Sequence, residues 1–258
     1  GYVWVRVNDE AYGLYANMEN YDDLLFGRCF PGTTHVYEGR YGEDLRQDLV
    51  ERLDVKEGNP LMRDDMHAIV DALDTPPDGD IYGSEAAQML FDWDRIITTM
   101  AIEQYIGHWD GYAPTRNNWV MHVDDIGRLS LQPWGTDQCF GRNNDIYSGQ
   151  GRLFQTCMAN VACRNAYEGK FGEIMQTLDG MDLETLIRDT YAVIRPYVEI
   201  DPRSPYRVAG VDNSVNDVVN FLARRRMDLG TQFECILGAN ADPDGDGFRC
   251  ETDCAPDD

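Results

Sequence analysis

Four polar residues in the middle of the chain have types and spacing that suit phosphoryl transfer. Asp110 lies in a loop after a predicted helix, Asn117 and Asn118 follow in the same loop, and Asp137 lies beyond two predicted strands. In such chemistry one aspartate orients the attacking hydroxyl, an asparagine holds a metal ion, and a later aspartate holds the metal that bridges the phosphates. Asp110 therefore fits the catalytic aspartate, while Asn117 or Asn118 and Asp137 fit the metal ligands.

A segment near the N-terminus is a candidate for nucleotide binding. Met18, Glu19 and Asn20 follow a predicted hairpin and lead into a predicted short helix. This order resembles the hinge between the two lobes of a kinase, where backbone groups can read an adenine. Glu19 and Asn20 are therefore candidate cofactor-binding residues, and the alternative for Glu19 is an exposed carboxylate at the end of a strand.

The acidic C-terminal tail carries a separate pattern for metal binding. Asp242, Asp244, Asp246 and Asp253 stand at positions 1, 3, 5 and 12 of a twelve-residue loop, and a glycine stands at position 6. This spacing matches the calcium loop of EF-hands, in which the carbonyl at position 7, here that of Phe248, is also a ligand. The sequence therefore predicts a Ca²⁺ site, and the alternative is a disordered acidic linker.

The charge of the chain excludes several functions. The 258 residues include 22 Lys and Arg and 46 Asp and Glu, which gives a formal net charge of −24. A nucleic-acid binder needs a basic surface, and an anionic lipid surface would repel this chain. We therefore expect no nucleic-acid partner, and no apolar run is long enough for membrane insertion. Divalent cations and cationic proteins are the expected partners.

The cysteines favour an oxidising compartment. Cys157 and Cys163 bracket a short segment, and three more cysteines surround the acidic tail: Cys235, Cys250 and Cys254. No paired CxxC motif suggests zinc. Disulfides and a secreted or cell-surface location follow from this interpretation, with reduced core cysteines as the alternative. The chain opens without Met inside a strand-like pattern, so we expect a processed or partial chain.

The hydrophobic pattern predicts the elements that position these residues. Val3, Val5 and Val7 alternate with larger residues, as in a half-buried strand of a hairpin over 2–15. Two short strands are predicted around the site, and four helices are marked by apolar residues at helical spacing. The strands cover Trp119 to His122 and Leu129 to Gln132. The first helix starts at Asp64 and the second covers Ser84 to Ile106. The third starts near Leu183 and is stopped by Pro196, and the fourth covers Val215 to Met227.

These elements predict an α+β fold with a hairpin and hinge followed by a mainly helical lobe. Residues 1–237 are expected to form this domain, and residues 238–258 a separate calcium-binding tail.

Three segments resemble motifs of the spore coat protein H (CotH) family of secreted atypical protein kinases. A fourth segment is similar to the family's C-terminal helix and contains Arg224, Arg225 and Arg226, which we expect to be a solvated face. The first segment, Val7 to Tyr15 with Glu19, is similar to the family's "NGxxxGxYxxxE" hairpin. The second begins at Phe91 to Asp94, continues through the Asp110 loop and ends at Trp119, and it is similar to the family's helix and Asp/Asn loop. The third, Gln132 to Gly141, is similar to "PWDxDxxFG", and the fourth is Val218 to Phe233. The resemblance covers about residues 2–235.

The resemblance implies an atypical protein-kinase-like fold that binds ATP with Mg²⁺ or Mn²⁺. It implies phosphate transfer to Ser or Thr of an extracellular or surface protein, with Asp110 as the catalytic residue. Two departures stand against it. The family's upstream segment with its basic residue is absent, and neither Lys56 nor Lys170 replaces that residue. Gly135 stands where the first aspartate of "WDxD" belongs, so Asp137 has to take over as metal ligand.

The alternative is a catalytically degenerate CotH-like surface or coat protein that keeps the fold for binding, with structural calcium. A polysaccharide-active enzyme would rest only on paired carboxylates such as Asp124 and Asp125, which we interpret as a hairpin turn. Asp110 itself could be a capping residue held by backbone amides, and Asn117 and Asn118 are common in loops.

Overall fold

The computed structural model describes residues 1–230 and begins with the predicted hairpin. Strand β1 (Tyr2–Val7) pairs antiparallel with β2 (Glu10–Ala16). Asn8 and Asp9 both adopt positive φ, 51° and 65°, as a tight hairpin turn requires. The hairpin prediction is confirmed, and the turn lies at the asparagine and aspartate that tolerate this backbone best.

The expected burial of the hairpin is wrong. Val3 and Val7 are exposed, because the two-stranded ribbon has a helix on its other face only. On that face Trp4 lies with its ring centroid 5.9 Å from that of Tyr197. Tyr197 belongs to helix α8 (Leu183–Ile200), which continues through Pro196, so the predicted stop at that proline is also wrong.

A second, four-stranded antiparallel sheet lies under the site residues. Its order is β4-β3-β5-β6, with β5 (Trp119–Asp124) and β6 (Leu129–Pro133) as predicted around a turn. The sequence interpretation missed β3 (Thr33–Glu38) and β4 (Asp54–Glu57). One face of this sheet buries Met121 and Leu131 in the main core.

Helices pack on both faces of this sheet. Helix α1 (Asp23–Cys29) covers one face, where Phe26 packs with Val36 and Val120. Asp22 caps α1 by accepting from the amides of Leu24 and Leu25. The other helices are α2 (Asp64–Asp74), α3 (Glu85–Leu90), α4 (Trp93–Tyr105), α5 (Tyr112–Thr115), α6 (Arg152–Ala159), α7 (Val161–Asp179) and α9 (Val208–Gly230).

The single helix predicted over Ser84 to Ile106 is two helices. Phe91 is extended and forms a parallel bridge with Leu129, so the helical path is broken between α3 and α4. Asp92 then caps α4 by accepting a hydrogen bond from the backbone amide of Arg95. The break fixes the start of α4 against β6, and the C-terminal end of α4 leads into the Asp110 loop.

Cys157 and Cys163 form the disulfide that the sequence suggested, joining the end of α6 to the start of α7. Cys29 and Cys139 are free thiols, and the other cysteines lie outside the described residues. Across residues 1–230, no helix has the length and apolar character needed to cross a membrane. Mixed helix and sheet confirm the α+β class.

Candidate active site

Asp110 and the two asparagines predicted with it lie together. The Asn117 Nδ2 atom donates to Asp110 Oδ1 at 3.0 Å. The Asn118 Nδ2 atom donates to Asp110 Oδ2 and to the Asp110 backbone oxygen, both at 3.0 Å. The asparagines hold both oxygens of one half-buried carboxylate, which fixes its direction. Plain backbone capping of Asp110, the alternative interpretation, is not what the structure has.

The loop needs unusual backbone conformations at three places. Gly107 turns the chain out of α4 at φ 65°, and the space for a Cβ is taken by the backbone oxygen of Arg142 at 2.2 Å. Arg116 and Asn118 also adopt positive φ, 57° and 46°. Asparagine tolerates this region better than most residues. It therefore suits position 118 for its backbone conformation as well as for its hydrogen bonds to Asp110.

His108 and Glu103 anchor the loop from below. His108 is fully buried, and its Nε2 atom lies 2.9 Å from the backbone oxygen of Trp134, a contact that orients the ring. Glu103 is 1% exposed, and its carboxylate accepts from the amides of Tyr112 at 3.2 Å and Ala113 at 2.9 Å. Burial raises the pKa of Glu103 to about 7, opposed by these two backbone hydrogen bonds.

A second buried carboxylate binds the side chain of Tyr112, the first residue of α5. Asp44 is 3% exposed and accepts from the Tyr112 hydroxyl at 2.9 Å and from the Arg152 amide at 2.8 Å. Burial raises the pKa of Asp44. The Tyr112 hydroxyl also accepts from the amide of Leu153 at 3.0 Å, so the loop is tied to the start of α6. Sequence reasoning missed Glu103 and Asp44; a carboxylate beside the apolar stripe of α4 was the available signal for Glu103.

Gly135 lies against Asn118, while Asp137 points into solvent. A Cβ on Gly135 would lie 2.6 Å from Asn118 Cγ and 2.8 Å from its Oδ1, and Gly135 has φ 61°. Asp137 is exposed and makes no hydrogen bond or salt bridge within residues 1–230. The role of Asp137 as the metal ligand, in place of the aspartate missing at position 135, therefore stays a prediction.

The segment predicted to be a hinge attaches next to this site. The Tyr21 hydroxyl donates to the backbone oxygen of Pro133 at 2.7 Å, and its ring centroid lies 5.4 Å from that of Trp134. Glu19 and Asn20 are exposed just before it. The Glu19 carboxylate is bound by Arg28 Nη2 at 2.6 Å, so a ligand would have to compete with that arginine.

Arg142 is a cation beside the loop. Its guanidinium carbon lies 4.2 Å from the centroid of the Trp109 ring, next to Asp110 in the chain. Within residues 1–230 Arg142 has no carboxylate partner, although the protein is strongly acidic. By contrast, Lys56 is paired with Glu38, and Lys170 lies 2.7 Å from Asp94.

The described part of the chain contains no cluster of three or more His, Cys, Asp or Glu side chains that could hold a metal ion. The oxygen donors at the site are one carboxylate and two side-chain amides, with Asp137 nearby in sequence. Mg²⁺ binds such hard oxygen donors and is commonly held by one or two carboxylates together with substrate phosphates. The residues therefore fit a metal that the phosphates of a nucleotide would complete.

The predicted calcium ligands Asp242, Asp244, Asp246, Phe248 and Asp253 lie outside the described residues. The same holds for the proposed tail, residues 238–258.

The family of the chain follows from its similarity to a family model. No curated protein matches the chain. The family model described as CotH kinase protein matches residues 1–229, which include the hairpin, the Asp110 loop, Gly135 and almost all of α9. The chain therefore belongs to the CotH kinase protein family.

Proposed function

We propose that the chain is a secreted atypical kinase that transfers phosphate from ATP to Ser or Thr of an extracellular or surface protein. The observation that supports this most is the half-buried Asp110 carboxylate, held at both oxygens by Asn117 and Asn118. A fixed carboxylate in a loop at the end of a helix is what positions a hydroxyl for phosphoryl transfer.

In the proposed reaction Asp110 accepts the hydrogen bond of the acceptor hydroxyl and takes its proton. A bond forms between the hydroxyl oxygen and the γ-phosphorus, and the bond from that phosphorus to the bridging oxygen breaks, so that ADP leaves. The asparagines keep the carboxylate in one orientation, which lowers the reorganisation needed when the hydroxyl arrives.

Asn118 and Asp137 are the proposed metal-binding residues, with Asn117 as the other candidate. The Asn118 Nδ2 atom is committed to Asp110, and its Oδ1 atom faces Gly135, where the segment leading to Asp137 begins. A bound Mg²⁺ or Mn²⁺ would neutralise negative charge on the phosphates.

Arg142 is the proposed cation for the phosphates, because it has no carboxylate partner and lies on Trp109 beside Asp110. Glu19 and Asn20, at the hinge next to Trp134, are the proposed nucleotide-binding residues. The disulfide between Cys157 and Cys163 supports an oxidising compartment.

The test is transfer of labelled phosphate from ATP, with Mg²⁺ or Mn²⁺, to the chain itself and to a mixture of basic proteins. Asp110→Asn keeps the shape of the side chain and is expected to lower the rate by about 10²–10⁴-fold, the usual contribution of a positioned acid or base. The matched control is Asp125→Asn in the exposed β5–β6 turn, which should keep the wild-type rate.

A catalytically degenerate surface-binding protein is the second candidate, and Gly135 favours it. A glycine at position 135 has no carboxylate that could bind the metal, whereas the family motif has an aspartate there. Nucleotide binding by equilibrium dialysis separates the two functions. Absence of both transfer and nucleotide binding in the wild-type chain would reject the kinase and leave the binding protein.

A further inference from the structure

A small polar cavity lies on the other side of the sheet from the main core. It has a volume of about 160 Å³ and shares no lining residue with the Asp110 site. His122 of β5 and Ser130 of β6 form its floor, and Cys29 and Phe30 at the end of α1 form one wall. The remaining walls include two arginines, Arg95 and Arg128, and two aspartates, Asp92 and Asp124.

His122 is buried in this cavity without a hydrogen-bond partner. It is 6% exposed, and its ring centroid lies 5.5 Å from that of Phe26 and 4.9 Å from that of Phe30. Neither ring nitrogen has a partner among the described residues. Burial lowers the pKa of His122 to about 4, so the ring is neutral and offers one N–H donor and one acceptor. Buried polar groups of this kind normally have a partner.

The two arginines also have unused donors. Arg95 Nε lies 3.2 Å from an Asp92 oxygen, and Arg128 Nε lies 3.5 Å from an Asp124 oxygen. These contacts are ion pairs without hydrogen-bond geometry, and the Arg128 Nε atom is buried without a partner among the described residues. The guanidinium of Arg95 rests 5.2 Å from the centroid of the Phe30 ring.

The aspartates are satisfied by backbone groups. Asp92 accepts from the amide of Arg95, and Asp124 accepts from the amides of Ile126 and Arg128. Two arginines and two aspartates leave the cavity formally neutral, unlike the protein as a whole. Asp92 also lies 4.0 Å from Arg128 Nη2, so both aspartates pair with the arginines only as ion pairs, and the His122 ring and Arg128 Nε are left without a hydrogen-bond partner among the described residues.

We infer that this cavity binds a small oxyanion, a phosphate-like or carboxylate group, through Arg95, Arg128, His122 and Ser130. Guanidinium groups match the paired oxygens of such ions, and the Ser130 hydroxyl, which accepts from Gln132 Nε2 at 3.2 Å, keeps its own proton free to donate. A cavity of about 160 Å³ exceeds the roughly 30 Å³ share of one water molecule and has room for one such ion with a few waters.

The wild-type chain provides two direct readouts. Phosphate, sulfate and acetate are titrated separately at constant ionic strength against chloride, with ¹⁵N-labelled histidine observed by NMR. We expect the His122 resonances, assigned from a His122→Gln sample, to shift with saturation, while His67 stays unchanged. Saturation by phosphate and sulfate would identify a tetrahedral anion, and saturation by acetate would identify a carboxylate.

The second readout is alkylation of Cys29, an exposed thiol that lines the cavity. Peptide mapping should show Cys29 alkylation slowed severalfold by the saturating anion, with no change at Cys139, which lies outside the cavity. Arg95→Gln and Arg128→Gln should each weaken binding at least tenfold, whereas Arg40→Gln, an exposed arginine paired with Asp54, should not.

A linear response to every anion, equal to that of chloride, would overturn the inference and leave a cavity filled by water. Unchanged affinity in both folded arginine variants would overturn it as well. Neither readout uses phosphate transfer, so the outcome is independent of the proposed kinase activity.

Discussion

Glu103 is a buried carboxylate that fixes the backbone of the Asp110 loop. Its oxygens bind the Tyr112 and Ala113 amides, the first free amides of the short helix α5. Those amides lie between Asp110 and its asparagines in the chain. Glu103 is therefore a positioning residue, and its protonation state couples the loop to pH.

Glu103→Gln is expected to remove one pH dependence of stability. Burial raises the pKa of Glu103 to about 7 from an ordinary value of 4.5. Between these values the folded state holds a proton that the unfolded state has lost, so this group makes the free energy of unfolding fall as pH rises. The fall is on the order of 3 kcal/mol for a fully buried group, and complete above pH 7.

Urea unfolding from pH 4.5 to 8 measures this effect as the difference between wild type and variant. That difference should shrink or change sign as pH rises, because glutamine does not titrate. Glu85→Gln, an exposed glutamate of α3, should reproduce the wild-type profile. A difference that is constant across the range would contradict the burial of an ionisable carboxyl at this position.

Gly135 gives a second prediction, with a matched control, Gly127, just beyond the other end of β6. Gly135→Ala should cost about 1 kcal/mol for its positive φ and about 1–3 kcal/mol more for the contact with Asn118. Gly127→Ala has a similar φ of 84° but nothing within 4 Å of the new Cβ, so it should cost the first amount only. Thermal and urea unfolding measure the loss of stability in both variants. Equal losses would show that Asn118 does not pack against position 135.

Residue types in the loop were predictable, but their supports were not. Asp110, Asn117 and Asn118 could be recognised because their order and spacing carry the chemistry, and the structure brings them together. Glu103 and Asp44 could not, because a carboxylate in a helix or loop gives no local sign that folding will bury it. The same is true of Arg225: Arg224 and Arg226 lie on the exposed face that was predicted, but Arg225 is fully buried.

At the scale of elements, Arg225 connects the last described helix to the site. Its Nε atom donates to the Tyr105 backbone oxygen and its Nη2 atom to that of Gln104, both at 2.6 Å, and it also bonds Asn143. These carbonyls close the C-terminal end of α4, where the helix dipole favours a cation. Helix α9 therefore holds the point at which the chain leaves α4 for the Asp110 loop.

Arg225→Met should lower the free energy of unfolding by about 3 kcal/mol or more, because it leaves the buried Tyr105 carbonyl without a donor and leaves that of Gln104 with backbone amides only. Arg224→Met, the exposed neighbour on the same helix, should change it by less than about 0.5 kcal/mol. Urea denaturation followed by circular dichroism distinguishes them. Equal effects would show that α9 does not depend on this contact.

The elements that sequence reasoning missed depend on distant partners. β3 and β4 carry no clean alternation, and β3 is a strand because β5 pairs with it from far along the chain. The break at Phe91 likewise depends on a bridge to Leu129. The hairpin and the β5–β6 pair were predictable because their partners are adjacent and their turns carry Asn, Asp or Gly.

At the scale of the whole molecule, the charge has a local and a general component. Residues 240–258 contain seven acids and one arginine, a net charge of −6, and the other 239 residues carry −18. The acidic side chains of the general component repel one another. Dissolved salt screens this repulsion beyond about 8–10 Å at 0.1–0.15 M. We therefore expect sodium chloride to raise the Tm from its low-salt value.

Calcium should add a specific stabilisation to this screening if the loop from Asp242 to Asp253 binds it. Folded protein that binds an ion gains stability as the ion concentration exceeds its Kd, whereas screening depends only on ionic strength. At matched ionic strength, millimolar CaCl₂ should therefore raise the Tm above the value in NaCl, and MgCl₂ should do so less. Asp242→Ala combined with Asp253→Ala should abolish the additional rise and keep the response to NaCl. Equal curves for CaCl₂ and NaCl in the wild-type chain would reject the calcium loop and leave the tail as part of the general acidic charge.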